Sequence, residues 1–240
     1  MRSVLAAMLL PVVAVVVIGP YTLLPSLLEF AVARDVQSRL GLEEVPKVAL
    51  SSDPPLRMIG GAFSGGKILL RDAGLGGVRT ESVIIDLDPF DVDVLKSLSK
   101  GSIVARDPLS GGLRVEVPEA EVSRLVRADA DVPITAVYLT EDGMEVRSEA
   151  TVFGRALPVS ASGNLGLSGE NFEFEPLSLK AAGIPVPQEL ANAVLAGTKF
   201  DYPIKGLPYN SQITRLETVE GRLVLLGRVP RVPVGVYPGG

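Results

Sequence analysis

The chain has 240 residues, a formal net charge of −5 and a pI near 5.0, and it contains no histidine, cysteine or tryptophan. The missing residue types exclude Ser-His-Asp and Cys-His catalysis, zinc sites of the usual kind, disulfide frameworks and a lipid-modified amino-terminal cysteine. The acidic balance argues against nucleic acid as a partner and against purely electrostatic binding to an anionic membrane surface.

The chain begins with an apolar segment. No charged residue occurs from Val4 to Leu28, and Val4–Ile18 is continuously apolar, which approaches the roughly 20 residues of a membrane-spanning helix. Residues 1–25 are predicted to be a membrane anchor or a signal segment, and a buried core helix is a further alternative. Because the small residues Ala31-Val32-Ala33 lie well beyond the apolar core, an uncleaved anchor is favoured. Either segment places the rest of the chain on the extracytoplasmic face of the membrane, or in the medium after cleavage.

A helix is predicted after Pro25. Apolar residues recur there at every fourth position, and these are Leu24, Leu28, Val32, Val36 and Leu40. This spacing is helical, and the helix is expected to connect the anchor to the folded part of the chain.

Residues 26–229 are predicted to form one domain, because no low-complexity stretch or charge block divides them. Residues 230–240 are rich in proline and glycine. Proline donates no backbone hydrogen bond and is excluded from central strands, so these residues are predicted to be a tail.

The domain is predicted to be α+β and dominated by β-strands. Alternation of apolar with polar or small residues predicts strands over residues 83–87, 113–117, 132–134, 144–146, 157–161, 172–174 and 223–225. Asp142-Gly143 and Glu220-Gly221 are typical of hairpin turns. Apolar spacing predicts short helices over residues 91–99, 118–127 and 187–196.

Two motifs suggest chemistry that their context does not support. Gly61–Lys67 matches the first seven positions of a phosphate-binding loop, but Ile68 replaces the required hydroxyl residue. The following residues, Lys67–Arg71, have the pattern of a strand, whereas a phosphate loop opens a helix. A glycine-rich bend is therefore the preferred interpretation.

An acidic cluster comprises Asp86, Asp88, Asp91 and Asp93. Its spacing lacks the glycine and the terminal glutamate of a calcium-binding loop, so we expect these residues to lie at the start of a helix, where acidic side chains favour the macrodipole. No metal or cofactor is predicted. A carboxylate-dependent hydrolase stays possible in principle, although no acidic pair is singled out.

The chain is apolar but poor in aromatic residues, with 47% hydrophobic and 5% aromatic residues. This composition favours an aliphatic interior that can accommodate acyl chains over an aromatic-lined sugar or nucleic-acid site. The alternative is that the apolar excess fills only the core and the anchor.

From residue 26 to residue 228 the chain resembles the LmeA-like family of phospholipid-binding proteins of the actinobacterial cell envelope. The stretches that carry the resemblance are Pro55–Phe63, Val83–Leu87, Val94–Gly101, Val152–Val159, Gly183–Pro187, Lys205–Tyr209, Leu216–Val219 and Gly221–Val224. Arg57-Met58 stands where the family usually has aromatic and hydroxyl residues.

The resemblance implies a fold and a function. The fold is an elongated, curved antiparallel sheet or partly closed barrel with short helices that enclose an apolar cavity, as in tubular lipid-binding domains. The function is non-catalytic phospholipid binding that supports lipid or lipoglycan handling in the envelope. The alternative is a non-catalytic envelope scaffold that binds a partner protein through its sheet edges.

Candidate site residues follow from the energetics of a lipid-binding cavity. Moving an acyl chain of about 15 methylenes from a bilayer into water costs on the order of 12 kcal/mol, and only an interior without unpaired polar groups can compensate for it. The predicted cavity-lining residues are Phe63, Ile85, Leu87, Phe90, Phe153, Phe172, Phe174, Leu190, Val194 and Phe200. The candidates for binding the phosphate of the head group are Arg57, Lys67, Lys199 and Lys205.

Overall fold

The structure is a computed structural model that describes residues 25–75, 77–100, 102–130, 133–152, 155–168, 171–187, 200–203 and 211–232. Its helices are α1 (residues 25–40), a 3-10 turn (Pro55–Gly60), α2 (Val94–Lys100) and α3 (Glu119–Asp129). Its strands are β1 (Lys47–Ser51), β2 (Ala62–Phe63), β3 (Gly65–Arg71), β4 (Gly74–Leu75), β5 (Val78–Arg79), β6 (Ser82–Leu87), β7 (Phe90–Asp91), β8 (Leu109–Pro118), β9 (Ile134–Thr140), β10 (Gly143–Val152), β11 (Arg155–Ser168), β12 (Asn171–Ala181), β13 (Ile184–Pro185), β14 (Phe200–Pro203), β15 (Gln212–Val219) and β16 (Arg222–Val232).

The described strands form two large sheets and two small ones. The first large sheet has the order β1-β3-β6-β8-β16-β15, and the second has the order β13-β12-β11-β10-β9, with β14 pairing with β12. The small sheets are β2-β7 and β4-β5. The prediction of a β-dominated α+β fold with antiparallel sheets is confirmed. None of the described sheets closes into a ring, and the apolar cavity and tubular shape stay predictions.

The described residues cluster into two compact units. The first unit contains the described residues up to Leu70 together with Ile84–Gly112 and residues 229–232, and the second contains Arg71–Val83 and the described residues between 113 and 228. The prediction of one domain over residues 26–229 stays a prediction.

Helix α1 belongs to the first unit and buries the apolar face that the four-residue spacing predicts. Leu28, Val32 and Val36 are buried, and the Glu29 carboxylate accepts a hydrogen bond of 2.9 Å from the backbone N–H of Leu50 in β1. The helix predicted after Pro25 is therefore confirmed. None of the described helices has the length and hydrophobicity needed to span a bilayer. The predicted anchor lies, apart from Pro25, outside the described residues.

The glycine-rich stretch of the first unit leads into a strand. Lys67–Arg71 lies in β3, which pairs antiparallel with β1 from Lys47↔Leu69 to Ser51↔Gly65. The strand predicted at this position is confirmed. No helix follows the glycines, so the local structure differs from that of a phosphate-binding loop.

The second unit is built around long antiparallel hairpins. Strand β10 pairs with β9 through a turn at residues 141–142, and it pairs with β11 from Met144↔Gly163 to Val152↔Arg155. Gly163 lies beside a bulge in the β11–β12 pairing, where a Cβ atom would overlap the carbonyl oxygen of Glu175. Only glycine allows the two strands to approach this closely.

Helix α3 is held by two acidic side chains, the buried Glu121 and the half-exposed Glu119. The Glu121 carboxylate accepts hydrogen bonds from the backbone N–H of Arg79 at 3.0 Å and from the Arg124 guanidinium at 2.6 and 2.9 Å. The guanidinium hydrogen bonds are the main cause of a lowered pKa of Glu121. Glu119 accepts a 2.7 Å hydrogen bond from the N–H of Leu139. The helix predicted over residues 118–127 is confirmed and ends two residues later than predicted.

Two predicted boundaries differ from the structure. Strand β16 continues through Pro230 to Val232, past the predicted start of the tail. The register with β15 ends at Gln212↔Arg228, so the missing donor of Pro230 removes no hydrogen bond from that pairing. The helix predicted over residues 91–99 begins only at Val94, because Asp91 pairs with Ala62 in the small sheet. The helix predicted over residues 187–196 lies outside the described residues from residue 188 onwards.

Candidate functional site

The candidate site of the first unit begins with a pair of stacked phenylalanines. Strands β2 and β7 place Phe63 opposite Phe90, and their ring centroids lie 4.9 Å apart with an interplanar angle of 8°. Phe63 is buried, whereas Phe90 is half-exposed. Cross-strand aromatic pairs of this kind stabilise short strand pairs that have few backbone hydrogen bonds of their own.

Backbone hydrogen bonds extend this pairing on both sides of β7. The N–H of Val92 donates to Gly61 at 2.8 Å, while the N–H of Asp93 donates to Val104 at 2.8 Å and that of Arg106 donates to Asp91 at 3.0 Å. A Cβ atom on Gly61 would overlap the Val92 carbonyl oxygen, and the φ of 85° at Gly61 also disfavours any other residue. Residues 91–93 are therefore fixed between two neighbouring segments.

The 3-10 turn forms another wall of the site. The N–H of Arg57 donates to Pro54 at 3.0 Å, and the N–H of Gly61 donates to Met58 at 2.9 Å. Met58 is buried, whereas Arg57 is exposed. The hydroxyl of Ser52 donates to the Ala62 carbonyl oxygen at 2.8 Å, which connects the residues before the turn to β2.

These segments surround a cavity of about 390 Å³. The lining residues are 52–53, 57, 62–64, 89–91 and 107–108. The volume lies within the range of small-molecule sites, and it suits a polar head group better than a complete two-chain phospholipid. We call this feature the head-group cavity, after the head-group role that the sequence predicts for Arg57.

The head-group cavity contains charges of both signs. Among the described residues, Arg57 is the one basic lining residue, and Asp53, Asp91 and Asp107 contribute three carboxylates. Within the described part of the chain, the Arg57 guanidinium makes no hydrogen bond or ion pair. The cavity thus offers one cationic donor for an anionic group and several acceptors for donating groups.

The acidic cluster predicted at the start of a helix is divided among several roles. Asp93 caps α2 by accepting a 3.0 Å hydrogen bond from the N–H of Lys96, and this bond is the main cause of a lowered pKa of Asp93. Asp86 pairs with Lys67 at 3.4 Å, and Asp88 accepts a 2.6 Å hydrogen bond from the Ser110 hydroxyl. The expected helix start is therefore confirmed for Asp93. It is wrong for Asp86, which lies in β6, for Asp88, which lies between β6 and β7, and for Asp91, which lies in β7 and lines the cavity.

The structure brings together three of the predicted site residues. Arg57, Phe63 and Phe90 all line the head-group cavity. Lys67 is exposed on β3 and pairs with Asp86, away from this lining. The assignment of Lys67 to a head group stays a prediction.

The other predicted residues fall into two groups. Ile85 and Leu87 are buried in the first unit, and Phe172 and Phe174 are buried in the second unit. The backbone of Phe200 pairs with that of Phe174. Outside the described residues lie Phe153, Leu190, Val194, Lys199 and Lys205, and the side chain of Phe200 is likewise not described. Lining of an acyl-chain cavity stays a prediction for all of these residues.

Sequence reasoning missed the carboxylates that line the cavity. A signal was present, because Asp53-Pro54, Asp88-Pro89 and Asp107-Pro108 are Asp-Pro pairs, which favour turns, and each pair contributes to the lining. Their convergence depends on contacts between distant segments, so the sequence pattern alone could not reveal it.

A second concavity of about 720 Å³ lies along α1 and includes Ser102. Its charged residues already have partners, since Asp35 pairs with Arg39 at 3.0 Å and the Arg34 guanidinium lies 5.3 Å from the ring centroid of Phe30. None of the predicted site residues in the described part of the chain lines it. The head-group cavity is therefore the better candidate site.

A comparison with known protein families identifies the family of the chain. The sequence model of a family described as LmeA-like phospholipid-binding matches residues 20–228. Neither the curated proteins nor the solved structures contain a significant match to the chain.

Proposed function

The chain belongs to the LmeA-like phospholipid-binding family, and on this premise we propose that it binds a phospholipid whose head group occupies the head-group cavity. The family match over residues 20–228 is the observation that carries the proposal. No catalytic activity is proposed, since the family is a lipid-binding one.

The proposal includes a location. Residues 1–25 tether the chain to the membrane, and the folded part lies on the extracytoplasmic side, where it supports lipid or lipoglycan handling in the envelope. The absence of charge from Val4 to Leu28 supports a tether.

The charges of the cavity select the head group. Arg57 binds the phosphate, because a guanidinium forms strong charge-assisted hydrogen bonds with phosphate oxygens. The exposed carboxylates of Asp53, Asp91 and Asp107 can accept hydrogen bonds from donors of the ligand. A phosphate linked to an ammonium or hydroxyl group satisfies both requirements, whereas a bare phosphate meets three carboxylates and is disfavoured. The expected preference is phosphatidylethanolamine over phosphatidic acid.

The same lining indicates what the cavity does not hold. Removing an acyl chain from the bilayer costs about 0.8 kcal/mol per methylene. A cavity lined by four charged side chains cannot compensate for that cost. The acyl chains of the bound lipid therefore stay in an apolar environment outside the head-group cavity.

Native mass spectrometry of the full chain in detergent tests the proposal. After addition of phosphatidylethanolamine or phosphatidic acid in equal amounts, we expect a stoichiometric phosphatidylethanolamine adduct and a weaker phosphatidic acid adduct. Absence of any phospholipid adduct after repeated addition contradicts the proposal.

The scaffold alternative predicts a different result. A protein that only binds a partner through sheet edges retains no phospholipid, and its crosslinks to that partner survive changes in the head-group cavity. Arg57→Gln separates the two, because it removes the cation that binds the phosphate, whereas Arg57 is exposed in the 3-10 turn and belongs to none of the described strands.

A further inference from the structure

The first unit exposes large apolar side chains next to the head-group cavity. Leu56 and Ile59 of the 3-10 turn are 61% and 46% exposed, and Leu95 of α2 is 81% exposed. We call these three residues the apolar rim. Single exposed apolar residues are ordinary on protein surfaces, but a group of them indicates an interaction site.

The geometry of the 3-10 turn separates its side chains by function. A 3-10 helix has three residues per turn, so residues three positions apart lie on the same side. Leu56 and Ile59 therefore share one side, while the intervening Arg57 lines the cavity and Met58 is buried. One turn thus presents apolar side chains outwards and a cation to the cavity.

Helix α2 begins beside the end of this turn. The N–H of Val92 donates to the Gly61 carbonyl oxygen at 2.8 Å, and a Cβ atom on Gly61 would lie 3.3 Å from a side-chain carbon of Val94. Because Ile59 is two residues before Gly61 and Leu95 directly follows Val94, the two exposed segments are neighbours.

A basic residue directly follows two members of the rim. Arg57 follows Leu56, and Lys96 follows Leu95. Lys96 forms an ion pair of 3.1 Å with Asp93, whereas the Arg57 guanidinium has no partner in the described part of the chain. Apolar side chains with adjacent cations are typical of surfaces that lie in the membrane interface, where the cations reach the phosphate layer.

From these observations we propose that the apolar rim inserts into the surface of a phospholipid bilayer and brings the head-group cavity to the level of the head groups. This inference rests on the proposed function and adds a docking surface to it. The head group enters the cavity while the acyl chains stay in the bilayer, so the protein does not have to supply the free energy of extracting a chain.

Site-specific fluorescence on the full chain tests the inference. The natural sequence has no cysteine, so Ile59→Cys or Leu95→Cys provides one attachment site for an environment-sensitive dye. Ile184→Cys and Leu177→Cys are matched controls in the second unit, because these residues are 70% and 52% exposed. Each labelled chain is reconstituted into phosphatidylcholine vesicles with and without a lipid-borne quencher.

We expect a blue shift and strong quenching for labels at residues 59 and 95, and water-like emission for labels at residues 184 and 177. Equal shifts at all four positions, or water-like emission at residues 59 and 95, overturns the inference. A concentration-dependent shift without vesicles also overturns it, since it indicates that a second copy covers the rim. Phospholipid adducts in the mass spectrum report separately on the proposed function, which can hold while the docking surface fails.

Discussion

The head-group cavity and the hairpins of the second unit are built in opposite ways. The cavity depends on strands of two residues, β2 and β7, and on connecting segments that contain Asp-Pro pairs. The hairpin strands β10, β11 and β12 have 10, 14 and 11 residues, so their long registers supply many backbone hydrogen bonds. We therefore propose that the long hairpins mainly stabilise the fold, whereas the segments around the cavity bind the ligand.

The two regions also differ in how their central charged residues, Glu121 and Arg57, are bound. Glu121 in the second unit is buried and fully engaged by Arg79 and Arg124. Arg57 is exposed and without a partner in the described part of the first unit. An engaged buried charge contributes to folding, whereas an unengaged charge in a cavity is available to a ligand. Substitutions in the second unit should therefore change stability, and substitutions in the cavity should change binding.

The largest expected effect is a loss of folding stability at Gly163. Gly163→Ala places a methyl group against the Glu175 carbonyl oxygen, and overpacking of this kind costs about 3 kcal/mol. Gly166→Ala on the same strand is the control, because its methyl group meets no atom within 4 Å. Urea unfolding of the full chain should show a large loss of stability only for the first variant, and equal midpoints contradict the close strand approach.

The second-largest effect is a loss of folding stability at Glu121. Glu121→Gln removes a charge that accepts three hydrogen bonds and should cost about 2 kcal/mol. Glu217→Gln is the control, since Glu217 forms an ion pair of 2.9 Å with Arg215 at the surface, and such pairs contribute at most about 1 kcal/mol. Urea midpoints of the two variants at neutral pH give the comparison.

The loss at Glu121 should also depend on pH. The pKa of Glu121 is lowered in the folded chain from its ordinary value of 4.5, so the stabilisation is complete above that value and is lost as the pH falls through the lower folded pKa. The stability difference between the natural chain and Glu121→Gln should therefore narrow below about pH 4.5. A difference that stays constant down to about pH 3 contradicts the assigned hydrogen bonds.

A smaller effect, confined to binding, is expected at Arg57. Arg57→Gln should weaken phosphatidylethanolamine binding about tenfold, the equivalent of about 1.4 kcal/mol, because it removes a charge-assisted contact with the phosphate. Stability should change by less than about 0.5 kcal/mol, since the side chain is exposed. Lys47→Gln removes one positive charge from an exposed side chain of β1 and controls for net charge. Quantitative native mass spectrometry measures the affinities.

The smallest effect is expected at Lys67, the other described candidate for the head group. Its ion pair with Asp86 is exposed, and the two side chains are 57% and 61% accessible, so Lys67→Gln should cost at most about 0.5 kcal/mol. Lipid binding should be unchanged because Lys67 does not line the cavity. If Lys67→Gln weakens lipid binding as much as Arg57→Gln does, the head group does not bind in the head-group cavity alone.

The regular elements could be predicted because their patterns are local. The alternation at residues 113–117 and the apolar spacing of α3 each reflect one buried face. Strand β15 was missed because most of its side chains are exposed or half-exposed, which leaves little alternation to detect. The family could also be predicted, since the resemblance recognised over residues 26–228 corresponds to the match over residues 20–228.

The cavity could be predicted only in part. Arg57, Phe63 and Phe90 were candidates because of their residue types, but their proximity arises from the pairing of Phe63 with Phe90, which are 27 positions apart. A two-residue strand has no detectable periodicity. Asp53 and Asp107 therefore could not be assigned to the same site from the sequence.

Phosphorus NMR tests the central claim most directly. A short-chain phosphatidylethanolamine is titrated with the full chain in a phosphorus-free detergent, alongside Arg57→Gln and Lys47→Gln. The head-group cavity predicts a shifted or broadened phosphate resonance with the natural chain and with Lys47→Gln, and a clearly smaller perturbation with Arg57→Gln at the same protein concentration. An equal perturbation by all three proteins, or none by the natural chain, contradicts the claim that Arg57 holds the phosphate of a bound lipid.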